Sequence, residues 1–236
     1  MSAAAAGGSE SAPPWSAGPP VPPGLQVVHA DDALLVFDKP AGLLAVPGRG
    51  EDKQDCLATR AQAEFPDARV VHRLDMATSG LIVMARGLAA QRTLNLGFEK
   101  RQVHKQYVAV VQGLLAPPET DEGWGSIDLP LILDWANRPR SIVDHAQGRP
   151  SRTRWRVLAQ DADAGTTRVL LEPVTGRSHQ LRVHLLALGH PIVGDRLYAP
   201  PEVADAAPRL MLHAQRLALF HPATGTPMVF DSAAPF

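Results

Sequence analysis

Short apolar blocks with two different periods run along the chain, and where the period changes an element begins or ends. Leu25 to Lys39 reads as two extended runs around a turn at Asp31-Asp32, the second covering Ala33 to Phe37, with Lys39-Pro40-Ala41-Gly42 closing the pair. Leu43 to Val46 is a short extended piece. Asp55 then stands where a helix carrying Leu57, Ala61 and Phe65 would be capped, and Pro66 stops that helix. The unbroken apolar run Leu81 to Ala85 is a buried strand, and Leu88 to Lys100 returns to helical spacing with Leu94 and Phe98 four apart. Gln106 to Gln112 alternates with β-branched residues and ends at Gly113, so it predicts another strand. Pro117 to Asp128 reads as loop. Arg152 to Ala159 and Thr166 to Glu172 are strands joined by the Asp161 to Gly165 turn. A helix is expected from His179 to Leu188 with Ser178 as its N-cap, a buried stripe of Leu181, Leu185 and Leu188, and Gly189 then Pro191 to end it. Short strands at Leu210 to Phe220 and Met228 to Phe230 close the chain. Strands and helices interleave without a βαβ rhythm, which predicts an α+β fold on a mixed, largely antiparallel sheet rather than a doubly wound parallel one.

Composition narrows the class. A chain of 236 residues with 45% hydrophobic and 20% charged content has enough apolar material for one large core. No apolar stretch approaches the roughly 20 residues that span a bilayer, and Met1 to Gly24 is an Ala, Gly, Pro and Ser-rich segment lacking the basic and apolar regions of a signal peptide. That segment is expected to be a disordered tail, leaving residues 25–236 as the working domain. Cys56 is the single cysteine, so neither an internal disulfide nor a cysteine-rich zinc site is available, and a reducing cytoplasm is the expected location. A net charge of −1 conceals an uneven distribution: residues 1–68 hold four Lys/Arg against nine Asp/Glu, whereas residues 69–110 hold seven Lys/Arg against Asp75 and Glu99 alone. Arg138, Arg140, Arg149, Arg152, Arg154 and Arg156 make a second basic cluster with Asp144 as its only acid. Such clusters suit phosphate contacts, and equally a solvated cationic face.

The lone acid in the first basic region carries the most information. In Val71-His72-Arg73-Leu74-Asp75-Met76-Ala77-Thr78-Ser79-Gly80, an extended His72 to Asp75 places Arg73 and Asp75 on one face and His72 and Leu74 on the other, so Arg73 is positioned to stabilise the carboxylate. The simplest role for such an acid is to cap the following Thr-Ser-Gly turn. Gly176-Arg177-Ser178-His179-Gln180-Leu181-Arg182-Val183-His184 is the second run of interest, because Arg182, one turn into its helix, can meet a carboxylate or phosphate bidentately. His179, His184 and His190 raise a metal site, but His179 and His184 are about 140° apart around a helix, which disfavours one. Tyr107 in its strand can present a flat face to a nucleobase or simply fill the core. With no Gly-x-Ser-x-Gly elbow and no Gly-rich phosphate loop, a carboxylate is the leading nucleophile candidate.

These runs, with Lys105 to Gly113 and Gly189-His190-Pro191-Ile192-Val193-Gly194-Asp195, resemble pseudouridine synthases of the RluA family from about Leu25 to the C-terminus. Asp128-Leu129-Pro130-Leu131, Asp134-Trp135 and Asn137-Arg138-Pro139 extend the likeness to the short members that act on both ribosomal and transfer RNA. The resemblance implies a mixed, largely antiparallel sheet flanked by helices with an RNA cleft across it. It implies cofactor-free, metal-free conversion of uridine to pseudouridine: the uracil is detached from its ribose, rotated and rejoined through carbon, in a tRNA anticodon stem-loop and a 23S rRNA hairpin loop. By position, Asp75 is the nucleophile attacking the base or the sugar carbon C1′, Arg182 its counter-ion, and Tyr107 the stacking residue that assists proton removal. Arg73 enters the RNA near the extruded uridine, and Arg138, Arg140, Arg152, Arg177 and His179 are the remaining expected RNA contacts. Many relatives carry an N-terminal S4 module, for which the stretch before Leu25 leaves no room, so the catalytic domain must select its RNA by loop shape. No protein partner is implied and a monomer is the default. Two other readings stand beside this one: a catalytically silent RNA-binding or RNA-folding protein, which has no need of a nucleophilic acid, and a glycosidase, which needs two acids where only Asp75 has a suitable setting.

Overall fold

The computed structural model describes residues 20–236. The expected tail therefore lies, as far as residue 19, outside the described residues. Its last part is tied to the domain: Val21 packs against the main core, and the Arg60 guanidinium donates to the carbonyls of Pro22 and Gly24.

Ten strands form one sheet in the order β1 (Val27–Ala30), β2 (Leu34–Lys39), β4 (Ser79–Arg86), β11 (Leu212–Phe220), β5 (His104–Gln112), β10 (Thr166–Pro173), β9 (Arg152–Asp161) and β6 (Gly125–Asp128), with β3 (Ala68–Val70) added to β4 and β12 (Pro227–Asp231) to β11. Only β4 and β11 run parallel; the other strand pairs of the sheet are antiparallel. The α+β expectation thus holds, with a mixed, largely antiparallel sheet. Helices α1 (Leu57–Glu64), α2 (Gly87–Glu99), α3 (Gln180–Ala187) and the one-turn α4 (Pro201–Ala204) lie among the strands, and β7 (Leu131–Leu133) pairs with β8 (Ser141–Val143) as a separate hairpin.

Cores on both faces explain the unbroken apolar strand. In β4, Ile82 and Met84 join Phe37, Leu57 and Leu171 in the larger core, while Leu81, Val83 and Ala85 join Leu34, Val36 and Leu94 of α2 in the smaller. A strand covered on both sides has no solvent face to mark with polar residues, so its sequence loses the alternation. The centre of the sheet also sets the geometry of the site. Gly80 is in register with Ala214 on β11, which is in register with Tyr107 on β5. Gly80 has φ +108°, and a Cβ there would overlap the Ala214 backbone, so only glycine lets these two strands approach.

Several boundaries differ from the sequence reading. Cys56, not Asp55, caps α1: its Sγ accepts the Thr59 N–H while the Thr59 hydroxyl accepts from the Cys56 N–H, and Asp55 instead pairs with Arg60 at 2.7 Å. His179, not Ser178, is the N-cap of α3, held in the left-handed region at φ 55° without a side-chain cap. Leu188 is exposed just past that helix, whereas Gln180, Arg182 and His184 are buried with Leu181 and Leu185. Polar partners inside the fold keep those positions buried, which a stripe of leucines does not reveal. Gly125 to Asp128, read as loop, is an edge strand on β9, and the β7–β8 hairpin was not anticipated; runs of three or four residues are too short to show a period.

Replacing Gly80 with alanine should cost about 2–4 kcal/mol of stability through the forced φ and the clash with Ala214. Urea unfolding at neutral pH measures it; an unchanged midpoint would remove the close approach as a constraint.

Candidate active site

The Asp75 turn is closed by its main chain. The Thr78 N–H donates to the Asp75 carbonyl at 3.1 Å and the Gly42 N–H to the Met76 carbonyl at 2.8 Å. Capping by the side chain is therefore not what the turn uses. Upstream, His72 Nε2 accepts the Val83 N–H at 2.9 Å, and burial followed by the Lys105 charge lowers its pKa to about 3. A neutral imidazole thus fastens the segment to β4 and stacks on Phe98, while Leu74 is buried in the larger core; the common face that an extended reading gives His72 and Leu74 is not formed, and Arg73 is exposed where Asp75 is partly buried. Ser79, after the turn, is held by His213 Nδ1 at 2.8 Å and by Arg209. The carboxylate is left at the mouth of a cleft, about one quarter exposed.

Arg182 projects from α3 towards it, but its main partner is another acid. Its Nε and Nη2 donate to the two oxygens of Asp195 at 2.8 and 2.6 Å, and only Nη1 faces Asp75, at 3.7 Å. The sequence reading made Asp75 its counter-ion; Asp195 is the closer, bidentate one. Asp195 is almost fully buried and also accepts the Leu197 and Tyr198 N–H groups, so its lone pairs are well occupied. The Tyr198 ring lies 4.9 Å from the Arg182 guanidinium. Its hydroxyl accepts the Ser141 N–H at 2.7 Å and meets His179 Nδ1 at 2.7 Å. Burial lowers the His179 pKa, with Asp75 opposing it, so the ring is neutral. With the Tyr198 hydroxyl donating to Nδ1, the neutral ring carries its proton on Nε2, which stands 3.9 Å from Asp75 Oδ1.

The cleft has a volume of about 810 Å³ and takes in Asp75, Tyr107, Arg182, Arg73, Arg177 and His179. Tyr107 is nearly buried in it, and burial, with the Asp75 charge second, pushes its phenol well above the ordinary tyrosine range. Arg73 does not pair with Asp75: it donates to the Ser178 hydroxyl at 3.1 Å across the cleft. The turn before α3 is organised by Gln180, whose side-chain oxygen accepts from Arg177 N and Thr175 Oγ1 while its amide donates to the Arg152 carbonyl. Arg138, Arg140 and Arg152 lie outside this cleft. Arg138 covers Trp135 and Arg140 covers Tyr198, whereas Arg152 borders a separate hollow of about 310 Å³ near Trp124. The three histidines diverge: His184 bonds Thr153 and the Leu129 carbonyl, and His190 the Gln112 carbonyl.

The chain as a whole finds matches among known proteins. The RNA pseudouridylate synthase family model matches residues 33–187. The chain is 52% identical over 218 residues, 92% of its length and 97% of the relative's, to the dual-specificity RNA pseudouridine synthase RluA of Escherichia coli strain K12. It is 46% identical over the same shares to the corresponding protein of Pasteurella multocida. The chain belongs to the RNA pseudouridylate synthase family. Its fold agrees: the solved structure of human RNA pseudouridylate synthase domain containing 1 superposes with a TM-score of 0.72 at 32% identity, covering 90% of this chain and 84% of that one. Human RNA pseudouridylate synthase domain containing 4 does so at 0.67 and 25%, covering 89% and 88%. The protein is an RNA pseudouridine synthase, an isomerase of uridine in RNA.

Two further groups of the synthase's site, Asp195 and Lys39, were not singled out as site residues from the sequence. Asp195 stood in a quoted motif without a role, and its signal is tertiary, since thirteen positions separate it from Arg182. Lys39 has no solvent exposure, and its ammonium donates to the carbonyls of Pro40, Leu43 and Met76 at 2.9, 2.8 and 3.1 Å. It therefore ties the residue after Asp75 to the end of β2. Burial, opposed by Asp75, lowers its pKa from 10.5 to about 7. Because the folded pKa lies below the unfolded one, the unfolded chain holds the extra proton between about pH 7 and 10.5, and the Lys39 contribution to stability rises with pH across that window. The free-energy difference between wild type and Lys39→Met should accordingly grow from pH 7 to pH 10 in denaturant titrations. A difference that stays flat would show that Lys39 is charged throughout.

Proposed function

We propose that Asp75 is the nucleophile of this synthase, that Arg182 orients it, and that Tyr107 stacks on the extruded uracil. One observation carries the reading. The Asp75 carboxylate is free of the turn it belongs to and is turned into the cleft between a buried arginine and a neutral histidine. Attack at C1′ or at the base needs an accessible oxygen lone pair, and the turn, closed by main-chain bonds, takes none of this carboxylate's. The bidentate Asp195 pair holds the Arg182 fork rigid, so its third nitrogen is aimed without rearrangement when substrate arrives.

A target base has to leave its stack to reach a carboxylate that lines a protein cleft. Arg73, exposed at the rim beside Ser178, is placed to enter the space it vacates. Tyr107 offers a flat neutral face. Burial and the Asp75 charge keep the resting phenol protonated, so it meets the stacked base as a hydrogen-bonding group beside the C5 proton whose removal it assists.

The substrates we infer are a tRNA anticodon stem-loop and a 23S rRNA hairpin loop. The support is the likeness to relatives named as dual-specificity RNA pseudouridine synthases over nearly the whole chain. The same reading makes residues 25–236 the catalytic domain of a cytoplasmic enzyme that works as a monomer, without metal or cofactor. Arg177 and His179 are its contacts in the cleft, and Arg138, Arg140 and Arg152 meet RNA beyond it.

Asp75→Asn is expected to bind RNA normally and to release no tritium from RNA labelled at uridine C5; release at the wild-type rate would overturn the nucleophile assignment. Mapping pseudouridines in tRNA and 23S rRNA from cells with and without the gene tests the two substrates, each being struck out if its modification persists. Arg182→Met should lower turnover by about a hundredfold or more, the scale of losing an oriented charged group, while circular dichroism stays native. Near-normal turnover would exclude it from the site.

A further inference from the structure

The tip of the β7–β8 hairpin carries a tryptophan that is largely open to solvent. Trp135 is 68% exposed, the most exposed large apolar side chain among the described residues. The loop that displays it is stiff. The Asp134 N–H donates to the Arg140 carbonyl at 2.9 Å, the Asn137 side-chain amide to Asp134 Oδ2 at 2.8 Å, and the Arg140 N–H to the Asn137 carbonyl at 3.1 Å. The indole is thus presented to solvent by a hydrogen-bonded loop.

Its surroundings are cationic and connected to the site. The Arg138 guanidinium lies 5.1 Å from the Trp135 ring. Arg140 lies 5.4 Å from the ring of Tyr198, whose hydroxyl also takes the N–H of Ser141, the first residue of β8. Tyr198 in turn packs on Arg182. One side chain therefore separates the base of the hairpin from the arginine that faces Asp75. The nearby Asp134 accepts from Asn137 and keeps its negative charge, so two guanidinium groups outweigh one carboxylate beside the exposed indole.

We propose that Trp135 is a stacking platform for an unpaired base of the substrate RNA outside the catalytic cleft, with Arg138 and Arg140 on the flanking phosphates. An aromatic face beside cations suits unpaired nucleotides of any sequence, because every base has a π-face. It does not suit a duplex, whose bases are already stacked. The platform would thus select the shape of a loop at a distance from the target uridine, in a domain whose other contacts surround that uridine. This rests on the reading of the cleft as the place where an RNA loop is isomerised.

The test compares wild type, Trp135→Phe and Trp135→Leu on one stem-loop RNA, the anticodon stem-loop, reading the dissociation constant in an Asp75→Asn background and the single-turnover rate with enzyme in saturating excess over RNA. Leucine should weaken binding about tenfold, phenylalanine much less, and neither should change the saturated rate. Equal binding by all three, or equal loss with leucine and phenylalanine, overturns the platform. So does a concentration-dependent dimer, seen by sedimentation in wild type and lost in Trp135→Leu, which would assign the indole to a second copy. Failure of the wild-type enzyme to release tritium from that RNA would count against the substrate assignment alone, since the binding ratios are measured without turnover.

Discussion

A buried guanidinium shared between two carboxylates organises this enzyme. Arg182 is surrounded by protein, and a charge in that position needs hydrogen-bonded compensation, which Asp195 supplies through two parallel bonds. Satisfying the cation internally has a consequence for Asp75. The catalytic candidate is not required to complete the pair, so it keeps a longer contact and an accessible oxygen. The buried pair orients; the exposed acid is left available. Had Asp75 been the bidentate partner, both of its oxygens would be turned to the arginine and away from the cleft.

The rest of the fold fixes where this acid stands. β4 enters the middle of the sheet directly after the Asp75 turn, and Gly80 lets it lie against β11. Lys39 from β2 grips the Met76 carbonyl, and Ser79 is held by His213 and Arg209. From the opposite wall, α3 brings Arg182 and His179, and Tyr198 connects them to the β7–β8 hairpin through Ser141. Polar atoms anchored inside a packed domain move little, which is what a nucleophile needs when binding energy is spent on extracting a base.

Much of this was legible in the chain. Extended and helical periods placed most strands and helices, and the His72 to Gly80 and Gly176 to His184 runs located both walls of the cleft. What escaped has common causes. Cys56 caps α1 although a thiol is a weak acceptor, and Asp55 beside it has the better capping chemistry but finds Arg60. His179 takes a backbone conformation that a helix pattern cannot announce. The strand at Gly125 exists only because β9 offers an edge. Arg73 was placed against Asp75 by alternation alone, but its reach carries it across the cleft to Ser178.

By itself the sequence determined the α+β class, the order of the main elements and the family, and it singled out Asp75, Tyr107 and Arg182, which the fold brings to one cleft. Local propensity, hydrophobic period and short motifs contain that much, because each depends on neighbours in the chain. Only the tertiary structure decided which carboxylate Arg182 holds, that Lys39 is buried under the Asp75 turn, which arginines line the cleft, and that Trp135 stands exposed beside Arg138. Those outcomes depend on distances between residues far apart in sequence and on competition among donors and acceptors within a closed interior, and neither is written in the order of the residues.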